Sequence, residues 1–460
     1  MADQGAATPG TSPSHHEEAP RAVVLVNDSL RAYSRANRFA RSLAAAGWTT
    51  TLVGVAEEGL PAEERLPPAD WPIAEQADAS PAPDELLTAA PPRDVRLVRL
   101  GPSGPLAGFL HGGRRGPLHR MPGLGGTLRT LGWPLAARAW GHTLRQLQPA
   151  DLYHACGIGA AVVAPDLARR ARRHGRAGQV VYDYIDVVQG SDLWFRYPRW
   201  RRATFPRVEG AAVRAADAMT SVNDECAADA KERWKLTRMP LVIYNAPPRA
   251  EIPPDGAPDL LRTATGIPSE RAVVLFIGKF GVDRPVLEAG DAVLRLRDAA
   301  FVALGYGPRE AELRARDSDP RRAGRHFTLP PVPPEAVTRW SATADATLVL
   351  APGDNLNNRY MTPNKLWESL AAGVPVVVGE HQVAAQRIVE PDGLGVRARA
   401  GDVDSLTAGL RTLLDVSEAD RRARSERARR LVVERYAWDV TIPSYLRLVR
   451  ELVVRPAVSR

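Results

Sequence analysis

Between Asn358 and Gly379 the chain packs a loop, a helix start, one helix, a stop and a buried strand into consecutive residues, and this helix–strand unit constrains the fold more than any other stretch. Thr362 is a suitable N-cap, and Pro363 at a first helical position would bring the right fixed φ with no amide hydrogen to waste. A helix started so abruptly points free N–H groups into the preceding loop, and such an end attracts an anion, phosphate best of all. Lys365 sits in that first turn. A lysine there opposes the helix dipole by roughly 0.3 to 1 kcal/mol, so it reads as a second contact on the same anion. Glu368, three residues on, shares the lysine's face, and a carboxylate beside a phosphate site commonly takes a ribose diol. Gly373 suits the C′ position, Pro375 stops the helix, and Val374 to Val378 reads as a short apolar strand. The same residues also suit an ordinary helix–strand unit with a surface pair at i,i+3.

The rest of the chain alternates in the same way. Ala22 to Val26 is a buried-strand run, Ser34 to Ala46 has helical spacing through Phe39 and Leu43, and Thr49 to Val55 is a second strand, so the opening reads as a βαβ unit of a parallel sheet. The turn Asn27-Asp28-Ser29 carries no G-x-G-x-x-G, which leaves a dehydrogenase-type dinucleotide site unsupported. Residues 56–94 read as a surface excursion, and the basic stretch 101–130, with Arg114, Arg115, His119, Arg120 and Arg129, suits a solvated loop or weak contact with an anionic acceptor or a membrane surface. Strands at 151–155, 179–184, 218–222 and 241–244 follow, then a proline-rich linker at 246–258. A second half opens with the strand Ala272 to Ile277 and Gly278-Lys279. A glycine at a strand end lets backbone approach a ligand, and Lys279 and Arg284, five apart, can bracket a diphosphate. Gly305-Tyr306-Gly307 is a further glycine turn, suited to a nearby nucleotide or to a plain tight turn.

At 460 residues the chain exceeds one ordinary core, and two domains are expected. The net charge of +8 is spread along the chain and no nucleic-acid module is present, so no nucleic-acid partner is expected. Only four lysines occur, and two of them, Lys279 and Lys365, fall in the motifs above. Cys156 and Cys226 stand far apart without zinc spacing, which points to a reduced, cytoplasmic protein. Residues 1–20 lack the pattern of a signal peptide and read as a disordered tail. Asp402-Val403-Asp404 has the form of a metal-binding D-x-D but precedes a helix as a capping segment would.

Glu368 with Ala371 to Val377 resembles the donor-site signature of family 4 of the retaining glycosyltransferases, in the variant Pro363-Asn364-Lys365-Leu366-Trp367-Glu368, and Tyr360 stands where that family carries its first glutamate. Further likenesses are Asp151-Leu152-Tyr153-His154, with Cys156 at a second histidine position, and Tyr182-Asp183-Tyr184-Ile185-Asp186. The resemblance covers residues 21–450. It implies an α/β fold of two Rossmann-like domains facing each other across a cleft (the GT-B architecture), with an acceptor-side domain at 21–246, a nucleotide-sugar domain at 247–436, and a last helix at 437–460 crossing back. It implies donor contacts from Gly278, Lys279, Arg284, Gly305, Tyr360, Met361, Thr362, Lys365 and Glu368, and catalytic roles for Lys279, Arg284 and His154. His154, Cys156 and Asp186 would lie on the acceptor side. No metal or other cofactor is expected beside the nucleotide-sugar co-substrate, and either a monomer or a homodimer is compatible. The implied reaction is retaining transfer of a sugar to an acceptor such as an envelope glycan, a small glycoside or antibiotic precursor, or a thiol. An epimerase or phosphorylase of the same fold and a non-catalytic donor-binding relative remain alternatives.

Overall fold

The computed structural model describes residues 19–30, 33–71, 91–101, 137, 139–254, 256–351, 353 and 355–454. The basic stretch expected at 101–130, apart from residue 101, lies outside them, as do nearly all of the expected tail and Asp354, the first residue of the loop 354–358 that was expected to face the sugar. Two sheets organise the chain. The first has eight strands: β1 (Arg21–Val26), β2 (Thr49–Gly54), β3 (Glu63–Leu66), β4 (Val95–Arg99), β5 (Leu152–Cys156), β6 (Gln179–Tyr184), β7 (Ala218–Ser221) and β8 (Leu241–Val242), in the order β3-β4-β2-β1-β5-β6-β7-β8. The second has six: β9 (Ala272–Lys279), β10 (Ala299–Tyr306), β11 (His326–Leu329), β12 (Ala346–Val349), β13 (Val376–Gly379) and β14 (Gly395–Ala398), in the order β11-β10-β9-β12-β13-β14. All pairings are parallel except β3 with β4.

Parallel strands covered by helices on both faces must be apolar throughout, and β1, β5, β6, β9 and β10 are nearly continuous buried runs. β3 is the exception. Its Glu-Glu-Arg-Leu text reads as surface loop, yet it pairs antiparallel with β4 on the sheet edge, where Glu63 meets Arg96 at 2.7 Å and Glu64 meets Arg99 at 2.7 Å along the diagonals. Clusters of buried side chains lie on both faces of each sheet. The last helix, Trp438–Val454, belongs to the first sheet's core. Trp438, Ile442, Tyr445, Leu446 and Val449 are buried with Phe39, Leu43 and Trp48, and the Trp438 indole donates to Ser42 Oγ at 3.0 Å.

Each sheet reverses its strand order once. In the first the reversal falls between β1 and β5, in the second between β9 and β12. Open α/β sheets bind ligands beyond the carboxyl ends of strands at such reversals.

Candidate functional site

In the second sheet, β9 ends in Gly278-Lys279 and β10 in Gly305-Tyr306, with Gly278 opposite Gly305 in register. Gly278 has φ 110°, which side-chain-bearing residues rarely adopt. A Cβ on Gly305 would stand 1.9 Å from the Gly278 carbonyl oxygen, and one on Gly307 2.6 Å from that of Phe280. The two strand ends therefore touch backbone to backbone and leave a ledge of bare peptide. Lys279 is exposed at its tip. Arg284 stands across the strand-order reversal, its guanidinium 3.5 Å from the Leu350 carbonyl at the end of β12.

The helix after the donor-type loop spans Asn364–Ala371. Pro363, not Thr362, occupies its N-cap, with extended backbone and no side-chain cap. Thr362 therefore precedes the cap position, and its hydroxyl accepts from Asn223 Nδ2 at 2.9 Å. Lys365 folds back over β9. Its Nζ donates to the Ile277 carbonyl at 3.3 Å and lies 4.6 Å from the Phe276 ring centroid. Burial, with nearby Arg284, pulls its ammonium down to about 7. Glu368 is 4% exposed, and its carboxylate has no hydrogen-bond partner among the described residues. Burial pushes it up to about 7, against the pull of Arg38 and Lys365. A buried carboxyl without a hydrogen-bond partner, one turn from a lysine whose ammonium is depressed, is an arrangement that a ligand with hydroxyls and phosphates could satisfy.

Between the sheets lies a cleft of about 350 Å³, lined by Tyr33, Ser34, Arg35, Ile185, Asp186 and Cys226 from the first half and by Arg284, Asn357, Tyr360, Met361, Thr362 and Asn364 from the second. Asp186 opens onto it, and the surrounding walls hold its carboxyl above the usual range. Tyr360 is half-buried there, and burial raises its phenol. The loop carrying these residues is shared between the halves. Asn223 Nδ2 also donates to the Tyr360 carbonyl at 2.7 Å, the Val187 amide donates to Asn357 Oδ1 at 2.8 Å, and Asn364 Nδ2 donates to Ser34 Oγ at 2.9 Å. Arg387 closes one side on Glu225 at 2.6 Å and Asp224 at 2.8 Å. Asn223 and Asn364 were not among the expected site residues, whereas Asn357 falls in the loop 354–358 that was expected to turn toward the sugar. The legible signal for Asn223 was an asparagine directly after the end of a parallel strand.

Two acceptor-side expectations are corrected. His154 is fully buried, and its Nδ1 pairs with the Tyr445 hydroxyl at 3.0 Å. Its ring packs 4.2 Å from that of Phe39, and burial lowers it to about 4, so it is a neutral member of the core beneath the last helix. Cys156 is buried beside it with its thiol pushed up. These two and Asp183 bring ligand atoms within 4.8 Å of one another, but Arg35 already holds Asp183 through two bonds of 2.7 and 2.8 Å. A cation there would face a guanidinium. The other candidate, Asp402, caps the helix Val403–Leu414 by accepting from the Ser405 amide at 3.0 Å, and Asp404 pairs with Arg295.

Residues 271–416 match the family described as Glycosyl transferases group 1. Among curated proteins no sequence matches the chain. Among solved structures, the chain is similar to sucrose-phosphate synthase from Thermosynechococcus elongatus, with TM-score 0.64 and 16% identity over 95% of this chain and 100% of that one. HepE from Anabaena in complex with UDP-glucose gives TM-score 0.63 and 14% identity over 94% and 99%. An alpha,alpha-trehalose-phosphate synthase (UDP-forming) from Burkholderia xenovorans in complex with glucose-6-phosphate gives 0.60 and 11% over 94% and 99%. The fold is thus the α/β GT-B architecture, and the second sheet lies within the residues that match the group 1 glycosyltransferase family.

Proposed function

We propose that this chain is a glycosyltransferase that moves a sugar from a nucleoside-diphosphate sugar to an acceptor with retention of configuration, without a resident metal. The observation that carries the reading is the buried Glu368, without a hydrogen-bond partner, beside Lys365, whose Nζ reaches the Ile277 carbonyl next to the bare strand ends at Gly278 and Gly305. The diphosphate would lie between Lys279, Arg284, Lys365 and the amides at the start of the helix Asn364–Ala371, and Glu368 would take the ribose diol. Departure of the nucleoside diphosphate builds negative charge on the phosphates, and these cations supply the counter-charge. The acceptor would enter from the wall bearing Asp186 and Tyr33, with Tyr360 and Met361 against the donor sugar. HepE, which shares the fold, has been solved with UDP-glucose, and the same donor class suits this site.

Thermal-shift titration against UDP, GDP, TDP and ADP and their common sugars, without added metal, tests the donor site. A nucleotide at about 100 times its Kd adds roughly 2.7 kcal/mol. No shift with any of them would remove the reading. Release of the nucleotide from its sugar on adding acceptor then separates a transferase from an epimerase, which converts donor alone.

A further inference from the structure

A stretch that the donor site does not use stands out in both composition and placement. Residues 194–207 hold five aromatics (Trp194, Phe195, Tyr197, Trp200, Phe205) and five arginines (Arg196, Arg199, Arg201, Arg202, Arg207), with no acidic residue. Part of this set forms a firm base. Trp194 packs on Tyr197 and Phe205 with ring centroids 6.4 and 5.8 Å apart, and Arg201 lies 3.7 Å from the Tyr197 ring. On that base Phe195 is 64% exposed and Trp200 43% exposed, among the largest apolar surfaces left in water. The helix Arg199–Ala215 turns Arg199, Arg207 and Arg214 to solvent on the same side as Trp200. Arg199, Arg202, Arg207 and Arg214 form no ion pair among the described residues. On other helices some surface arginines do pair within the helix, as Arg314 does with Glu310 and Arg422 with Glu418.

We infer that this face docks on an anionic lipid bilayer. Exposed aromatic rings held on a rigid base gain by entering the headgroup region, where one end is apolar and the other wet. Unpaired guanidiniums on long apolar stems reach phosphate from the same depth, and a negative surface attracts each of them. The inference is independent of the donor-site reading. It has a positional consequence, because the segment begins at the cleft: Asp192 accepts from Asn355 Nδ2 at 3.0 Å, and a Cβ on Gly190 would meet Leu356 Cβ at 2.5 Å. Docking would set the mouth of the cleft against the lipid surface.

Co-sedimentation of the full chain with vesicles of phosphatidylcholine, alone or mixed with phosphatidylglycerol, tests this. The chain should pellet with the mixed vesicles only, and added salt should release it. Phe195→Ser with Trp200→Ser, and separately Arg199→Glu with Arg207→Glu, should each lower the partition by about tenfold or more while the melting temperature stays that of the parent. Equal binding to both vesicle types, no binding to either, or unchanged partition in both double variants would overturn the inference. So would binding of duplex DNA or self-association that the same substitutions abolish while vesicle binding is absent.

Discussion

Gly305→Ala puts the ledge of bare peptide to the test. The new Cβ would stand 1.9 Å from the Gly278 carbonyl oxygen, where real Cβ atoms keep at least 3.0 Å, so β9 and β10 must part by about 1.1 Å at their carboxyl ends. Neither neighbour can give by rotating a side chain, because the contact is with backbone. Overpacking of this kind costs about 1 to 3 kcal/mol. A displacement on the order of 1 Å at a binding constellation can cost about a hundredfold in turnover. The variant should therefore melt several degrees lower, and the nucleotide that stabilises the parent should bind it at least about tenfold more weakly. Gly266→Ala is the control. Gly266 also has a left-handed φ, 71°, but nothing lies within 4 Å of its Cβ position, and it caps the short helix Leu260–Thr265 away from the ledge. It should lose about 1 kcal/mol of stability and no nucleotide affinity. Paired melting curves with and without nucleotide read both quantities. A Gly305→Ala protein with parental melting temperature and parental nucleotide affinity would refute the placement of the nucleotide on this ledge.

Glu368→Ala should weaken nucleotide binding, and Lys279→Ala should lower kcat more than it raises KM, each by the equivalent of about 1.5 to 3 kcal/mol; unchanged steady-state kinetics in both would remove the donor-site assignment. The titrations of Lys365 and Glu368 set a pH dependence. Lys365 is lowered to about 7 from 10.5, so between those values the unfolded chain binds more protons and stability rises with pH. Glu368 is raised to about 7 from 4.5, so its contribution is full at low pH and is lost as pH rises through 7. Free of ligand, the protein should thus show a local stability minimum near neutrality by denaturant titration, and Lys365→Met should flatten the limb above it. A nucleoside diphosphate should recharge Lys365, and calorimetry in buffers of different ionisation enthalpy should report proton uptake near pH 7; zero uptake would count against the lysine–phosphate contact. His154→Phe should cost about 1 to 3 kcal/mol by leaving the Tyr445 hydroxyl unpaired, with kcat/KM within about twofold of the parent; a large loss of kcat at parental stability would restore His154 to the acceptor site.

Local text was enough for much of this protein. The stop at Gly373 before β13, the buried runs of β1 and β9 and the placing of Gly278 and Lys279 at the end of β9 follow from short-range periodicity and turn chemistry, which a residue carries with it, whereas the two-domain α/β plan rests on chain length and the family resemblance. Capping by Asp402 is equally local, since donor and acceptor are three residues apart.

What the text could not carry is set by partners far away in sequence. β3 is polar enough to be a loop and is a strand because it pairs antiparallel with β4, about 30 residues away, with Glu63 and Glu64 reaching diagonally to Arg96 and Arg99. Thr362 has the chemistry of a cap, but Asn223, 139 residues away, takes its hydroxyl. Asp183 looks available until Arg35, 148 residues off, grips it. His154 has the chemistry of a catalytic base, and it is the last helix, bringing Tyr445 from 291 residues downstream, that buries and neutralises it. Sequence by itself determined the elements and the kinds of group on offer. Tertiary structure decided which of those groups remained unpaired, because desolvation and hydrogen-bond satisfaction depend on what the folded chain places within a few ångströms, at whatever distance along it.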